Sequence, residues 1–507
     1  MAIQVPFFLN RQSKIGNRQS KILTRGIPKP LKTRIVLILI LVGVLLIAPQ
    51  AGAEDPVMMS PALDGKQREC LDCHRYPNVN TNEGAYASQA FCMECHDQKA
   101  CQKNVNGQPV SLRVDLQSFE KTRHRYTACI QCHRDVAKCP HASKSGAQCT
   151  GCHSVHGEEE IHDPHLQVDC QACHRTSKLV SLDRETGQVT LARVDDQKAP
   201  ISLIDHALPD VADPEFCNRC HNAENKVGAA AAVLPSKSFL CILCHSAPLT
   251  IGNPIFWAAF IIFLFGVILT LNFWFKGSVQ GEERSLHRKI ALTSESVWQV
   301  IFSRQVFTLI KVMILDIFLQ RRILQESVKR WSIHSLIYLS ILARLFVGLL
   351  TYFAYRISPD SPLALALLNK NNGFTAFFYD FTGLLVVFGI VWALIQRFIL
   401  KPVHVAREGQ DNLAVSIIGV LILLGFLLEA VRILMTQIPP SMAVFSFVGY
   451  PIARSLSVLG LDWKIIYPYL WYAHAVVGAL LIAYLPFGKM RHVINTPLTL
   501  MMNYRMK

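Results

Sequence analysis

The chain has 507 residues, 51% of them apolar, with 16 cysteines and a formal charge of +15. Its length excludes a small disulfide-stapled fold and allows two or three domains. The basic excess does not point to nucleic acid: residues 1–53 carry 8 Lys+Arg and no acid, residues 54–254 carry 20 against 25 Asp+Glu, and residues 255–507 carry 23 against 11. Positive charge therefore gathers in an N-terminal segment and between long apolar runs, where it sets membrane topology.

Eight basic residues precede the apolar stretch 35–48, which is followed by Pro49 and Ala51-Gly52-Ala53. A basic n-region, an apolar h-region and a small-residue A-x-A site predict a signal peptide over residues 1–53, cut after Ala53. A retained anchor is the alternative, for which the stretch is short, since a span takes about 20 residues. Residues 10–15 recur at 17–22, a duplication to which no function attaches.

All cysteines lie between Cys70 and Cys244, in the expected exported domain 54–250. Fourteen of them form Cys-x-x-Cys-His seven times: Cys70/Cys73/His74, Cys92/Cys95/His96, Cys129/Cys132/His133, Cys149/Cys152/His153, Cys170/Cys173/His174, Cys217/Cys220/His221 and Cys241/Cys244/His245. This is the signature of c-type haem attachment. Two thiols at that spacing reach both vinyl groups of one haem, and the next residue's imidazole becomes the proximal iron ligand. Zinc also takes Cys-x-x-Cys but does not require a His after every second Cys. Disulfides, the plain reading of exported cysteines, fail on the same regularity. Cys101 and Cys139 stand outside the motifs, and a disulfide between them is one option.

Seven motifs in 176 residues leave little room for an apolar core. Haem is expected to form most of the interior, wrapped by loops and short helices, with one β-hairpin over residues 179–194 around Glu185-Thr186-Gly187. Seven haems with two histidines each need seven distal ligands, and residues 54–254 offer six further histidines: His124, His141, His156, His162, His165 and His206. One haem must then use Met58, Met59 or Met93, borrow a ligand from elsewhere, or stay open.

The membrane domain, 251–507, holds five predicted spans: 255–275, 331–355, 374–400, 413–434 and 467–487. If the cysteine domain is exported, the stretches 276–330, 397–412 and 488–507 are cytoplasmic and carry 17 Lys+Arg, against 4 in the two outward loops. That asymmetry obeys the positive-inside rule and leaves the C-terminus inside. Residues 294–319 read as one amphipathic interfacial helix, with Arg304, Lys311 and Arg322 on one face and Trp298, Phe302, Leu309 and Met313 elsewhere. The fold class is thus mainly α: a multihaem domain with little regular structure, joined to a five-helix bundle.

Ionisable residues inside spans mark function, because insertion of one costs about 2.5–3.5 kcal/mol. They are His334 and Arg344 in span two, Asp380 in span three, Glu429 and Arg432 in span four and His474 in span five, with His492 just beyond it. His334 and His492 fall on the cytoplasmic side and can clamp a b-type haem between helices. His474 lies roughly 27 Å from His492 by helical rise, in the outer half. Arg344, Asp380, Glu429 and Arg432 share that half and are candidates for a quinone site. Simple pairing of Glu429 with Arg432, at i,i+3, is the alternative.

Five spans, His334 early in span two, and His474 and His492 separated by Leu485-Pro486-Phe487-Gly488 form a recognisable pattern. Together with the stretch 425–432, it resembles the membrane cytochrome b subunits of respiratory nitrate reductases (gamma subunit) and of heterodisulfide reductases. The resemblance implies two b haems and electron exchange with quinones or similar carriers. In the nitrate reductase pattern a second span-two histidine follows the first by ten residues. That position is Arg344 here, which leaves His474 without its expected partner. The exported half is similar to multihaem c cytochromes, as at 124–133 and 149–157. The fusion resembles the inner-membrane bc-type cytochromes of bacteria that respire on extracellular acceptors.

The expected function is that of an inner-membrane quinol oxidoreductase of anaerobic respiration. Electrons would pass from the quinone pool through one or two b haems to seven c haems, then to periplasmic cytochromes or reductases. No separate catalytic residue is expected, because the cofactors carry the redox step. Two alternatives differ in class: a terminal reductase with an open c haem, and a membrane anchor subunit docking an iron–sulfur or other cytoplasmic partner.

Overall fold

A computed structural model describes residues 79–98, 101–105, 108–134, 147, 149, 152–153, 165–174, 180–191, 217–247, 250–279, 281–400, 409–496 and 499. The expected signal peptide, the first motif (Cys70, Cys73, His74), Met58, Met59, Cys139, His141, His156, His162 and His206 lie outside the described residues.

In the cysteine-rich region, short elements alternate with turns. Helix α1 (Asn82–His96) is capped by Thr81 and ends on a motif histidine. The strands β1 (Gln102–Val105) and β2 (Gln108–Ser111) pair antiparallel. They are followed by α2 (Leu116–Glu120), α3 (Cys129–Cys132) and α4 (Cys170–His174). Strands β3 (Val180–Leu182) and β4 (Val189–Leu191) form the hairpin expected over 179–194. Asp183 Oδ1 organises its turn by accepting from the amides of Glu185 and Thr186. The β1–β2 hairpin was not expected. Asn106-Gly107, a strong two-residue hairpin signal, links its strands.

Five helices are long and apolar enough to cross a membrane. The first, α5 (Pro254–Phe275), starts at Asn253, whose side chain accepts from the Ile255 amide, with Pro254 at the first helical position. It is apolar on every side. Phe265 (57% exposed) and Ile268 (63%) project from the protein, as lipid-facing side chains do.

The expected single helix 294–319 is instead two. Helix α6 (Leu286–Ile301) begins earlier, because Ser285 Oγ accepts from the Arg288 amide. It stops before Ser303, whose carbonyl takes the Val306 amide in a tighter turn. Helix α7 (Gln305–Val312) then runs into a wide π turn, Met313–Phe318. Phe302 and Phe307 are 78% and 73% exposed. Buried Lys289 donates to the Phe275 carbonyl at 3.0 Å, a cation at the C-terminus of α5.

A short helix, α8 (Arg321–Glu326), leads into span two, α9 (Val328–Ile357). After α10 (Pro362–Leu368) come span three, α11 (Gly373–Leu394), which extends to Ile399 as a π turn, and span four, α12 (Gly409–Thr436). Helices α13 (Pro440–Ala443) and α14 (Gly449–Ser457) precede span five, α15 (Trp463–Tyr484). Helix α9 packs on α11, α12 on α14 and α15, and α15 on α5. Val386, Ile390, Ile418, Ile422 and Phe426 form the main core between α11 and α12. Gly389 permits the α9–α11 approach, since a Cβ there would lie 2.7 Å from Ile337 Cγ1.

Candidate functional site

Each described motif closes one helical turn. The histidine amide bonds to the carbonyl of the first cysteine in His133, His153, His221 and His245, at 2.9, 3.0, 2.9 and 3.1 Å. Positions i, i+3 and i+4 of such a turn share a face, so both thiols and the imidazole point to one side. The motifs neighbour one another in chain order. The Cys129 thiol donates to Cys92, which holds Cys92 down to about 7 and pushes Cys129 up. Cys149 bonds to Cys170 in the same way. Cys132 feels the charge of Cys152, and Cys173 that of Cys220 and Cys217. Motifs two to six are therefore contiguous.

The motif cysteines differ in exposure. Cys95, Cys152 and Cys217 are exposed, whereas the other described motif cysteines are half-buried. Cys95 lies in the last turn of α1, where its carbonyl takes the amides of Asp97 and Gln98 as the chain leaves the helix.

Four histidine pairs stand out. The ring centroids of His124 and His153 are 5.6 Å apart, with Nε2 facing Nε2 at 3.4 Å. Those of His165 and His221 are 6.2 Å apart, His245 and His474 6.5 Å, and His334 and His492 6.3 Å. An imidazole–metal bond of about 2 Å on each side of one iron sets ring centroids about 6 Å apart. The pairs at 6.2–6.5 Å have the spacing of two imidazoles on one haem iron, and His124–His153 stands closer than that spacing.

The other ring nitrogen is held in several of these histidines. His221 Nδ1 bonds to the Ala230 carbonyl at 3.0 Å, His96 Nδ1 to Leu112 at 2.8 Å and His245 Nδ1 to Ser246 at 3.3 Å. A ring donating Nδ1–H to a carbonyl keeps Nε2 unprotonated as a ligand. His334 Nδ1 meets Gln320 Oε1 at 2.8 Å. Burial, with Lys237 and Lys370 nearby, holds His245 well below the usual imidazole range, in its neutral form. Burial similarly lowers His124 and His174, helped by the charge of His153.

Sequence expectation and placement diverge at several further residues. His124 faces the histidine of motif four and His165 that of motif six. Met93 lies on α1. Cys101 lies 3.9 Å from His96 Nδ1. His474 faces the seventh motif from span five. Arg432 does not close on Glu429: its Nη1 donates to Asn371 Oδ1 at 2.6 Å, and Asn371 donates to Gln167 at 2.6 Å. Arg344 bonds to Thr382 Oγ1 at 2.8 Å and to the Tyr379 carbonyl.

Asp380 is fully buried and accepts the amides of Val448 and Gly449 at 2.6 and 3.2 Å. Glu429, beside it, accepts from Ser446 Oγ at 2.9 Å. Gly383 and Gly449 make room: a Cβ would lie 2.7 Å from Arg344 Nη2 and 2.8 Å from Glu429 Cγ.

Sequence reasoning missed Gln320, a buried residue at φ +52°. Only its spacing before His334 could have hinted at the contact. It also missed Gln89, whose amide donates to the carbonyls of Arg125 and Thr127 at 2.9 Å and orders the segment between His124 and motif three.

Known proteins match the membrane half. Residues 359–506 match the family described as nitrate reductase gamma subunit. A heterodisulfide reductase subunit of Methanosarcina thermophila, which acts with dihydromethanophenazine and CoB--CoM by its name, is 25% identical over 264 residues. That match covers 48% of this chain and 88% of the relative. Its counterpart in Methanosarcina barkeri is 26% identical over 262 residues, again 48% and 88%. No solved structure matches. Bundle, paired histidines and comparisons define a transmembrane electron-transport protein of the oxidoreductase class. More particularly, its membrane domain is similar to nitrate reductase gamma subunits and to these heterodisulfide reductase subunits.

Proposed function

We propose that the chain is the membrane electron-transfer subunit of a redox complex, moving electrons between membrane quinol and seven c-type haems in an exported domain. The observation that carries this reading is the histidine spacing: four ring pairs at 5.6–6.5 Å, three of them including a Cys-x-x-Cys-His imidazole. Bound haem iron supplies a one-electron couple. His334 and His492 hold the b-type haem near the cytoplasmic side, and Gln320 fixes the His334 ring. Arg344 and the Asp380–Glu429 carboxyls line the outer half of the bundle, where quinol would bind and release protons. The exported domain faces the periplasm of an inner membrane, and the C-terminus lies inside. Terminal electrons go to periplasmic cytochromes or reductases.

The relatives favour the subunit part of this reading, since each is named as one subunit of a reductase. Loop 276–330, with its exposed aromatic face on α6 and α7, is the dock for a cytoplasmic partner. A pyridine haemochrome spectrum of the purified protein tests the core claim. Seven covalent c haems with b haem present support it; no covalent haem would leave the membrane half an anchor. In His334→Ala the b absorbance disappears while every c haem persists. Unchanged b absorbance would remove His334 from the ligand set.

A further inference from the structure

The resemblance to two-b-haem subunits asks for a span-two partner to His474, and Arg344 stands there. What faces His474 is His245, the imidazole of the seventh motif. Their rings are 6.5 Å apart with planes 24° from parallel. His245 Nδ1–H donates to the Ser246 carbonyl at 3.3 Å, which leaves Nε2 for a ligand.

The fold builds this meeting from both sides. The seventh motif forms a 3-10 turn, Phe239–Leu243, opened by Ser238 and packed on α9 and α15. On α9, Gly348 accepts that turn closely, because a Cβ would lie 3.0 Å from the Ile242 carbonyl and 3.5 Å from that of His245. On α12, Gly425 leaves room for the other ring, at 3.6 Å from His474 Cε1. The motif is thus set between the spans themselves.

We infer that His474 is the distal ligand of the seventh c-type haem, so that the iron attached through Cys241 and Cys244 takes its second imidazole from membrane span five. This rests on the c-haem reading above and extends it. It also closes the ligand count: seven motifs met six further histidines in residues 54–254, and His474 is the seventh. No open c haem is left for a terminal reductase. A single b-type site, His334 with His492, remains in the bundle.

The test uses the full-length protein in detergent. The wild type should give seven c haems to one b haem. His474→Ala should keep that ratio while one c haem in seven turns high-spin by electron paramagnetic resonance and binds one carbon monoxide per chain. His474→Met should keep seven low-spin c haems and raise the potential of one. Retained b absorbance reports that the bundle is intact in both variants. A wild-type ratio of seven to two, or loss of b haem in His474→Ala with all c haems still low-spin, overturns the inference. Absence of covalent haem altogether would instead fell the reading on which it rests.

Discussion

Gln320 shows how one residue can be read only after folding. Its backbone sits at φ +52°, a left-handed conformation that costs a non-glycine residue about 1–2 kcal/mol. Strain of this kind persists where surrounding structure demands it, often at functional sites. The demand here is the 2.8 Å bond from Gln320 Oε1 to His334 Nδ1. Backbone and side chain can be separated by substitution. Gln320→Gly relieves the strain and loses the bond; Gln320→Ala loses the bond and keeps the strain. Both should weaken b-haem retention by about 10–100-fold, as removal of an outer-shell partner does. Gln320→Gly should nonetheless melt at the same or higher temperature than Gln320→Ala. Wild-type haem retention in either, measured by b absorbance during dilution, would show that the contact orients nothing.

At the level of elements, chemistry that fixes spacing was legible and chemistry that depends on distant partners was not. Cys-x-x-Cys-His closes within a single turn, so its local geometry could be read directly. The histidine pairings come from other segments: His165 meets His221, and His474 meets His245 across most of the membrane domain. No local pattern encodes those pairings. The spans were readable from apolar length, but their ends follow caps. Span two begins at Val328 because Ser327 Oγ takes the Arg330 amide, and span five at Trp463 because Asp462 takes the Lys464 amide. The hairpin Gln102–Val105/Gln108–Ser111 was missed because Pro109 argues against a strand, although an edge tolerates it.

Packing between elements gives a second prediction. At Gly389 a Cβ would press on Ile337 at 2.7 Å and on Leu336 at 3.0 Å, close after His334 on the same helix. Gly389→Val should therefore force α9 from α11, cost about 1–3 kcal/mol as overpacking does, and lower b-haem content with c content unchanged. Gly419→Ala is the control, since its Cβ would meet only Ile390 at 3.8 and 4.0 Å. Thermal unfolding followed at the b and c bands separates the two. Equal loss of both haem types in Gly389→Val would mean that the α9–α11 contact supports the whole chain and not one site.

For the whole molecule, the proposed function requires that the motif-bearing region and the spans work as one body. Several contacts join them. Lys464, at the start of span five, donates to the carbonyls of Ala223 and Asn225 at 3.0 and 2.9 Å. Arg432 reaches Gln167 through Asn371. Gly228, at φ +74°, lies against the end of α12, where a Cβ would fall on the Met435 carbonyl. That last contact is backbone on backbone, so no side chain can yield. Gly228→Val would meet both a forbidden φ and a collision, and the loop after the sixth motif must lift from the bundle. His221 would lose its bond to the Ala230 carbonyl in that movement. Covalent attachment at Cys217 and Cys220 does not depend on the contact, so haem content should stay the same. Quinol-driven reduction, followed by stopped flow at separate wavelengths, should then reach the b haem at the wild-type rate and the c haems at least about tenfold more slowly. Equal slowing of both would place the damage at the quinol site. Wild-type rates at both would mean that electrons enter the exported domain by a route independent of the loop carrying Gly228.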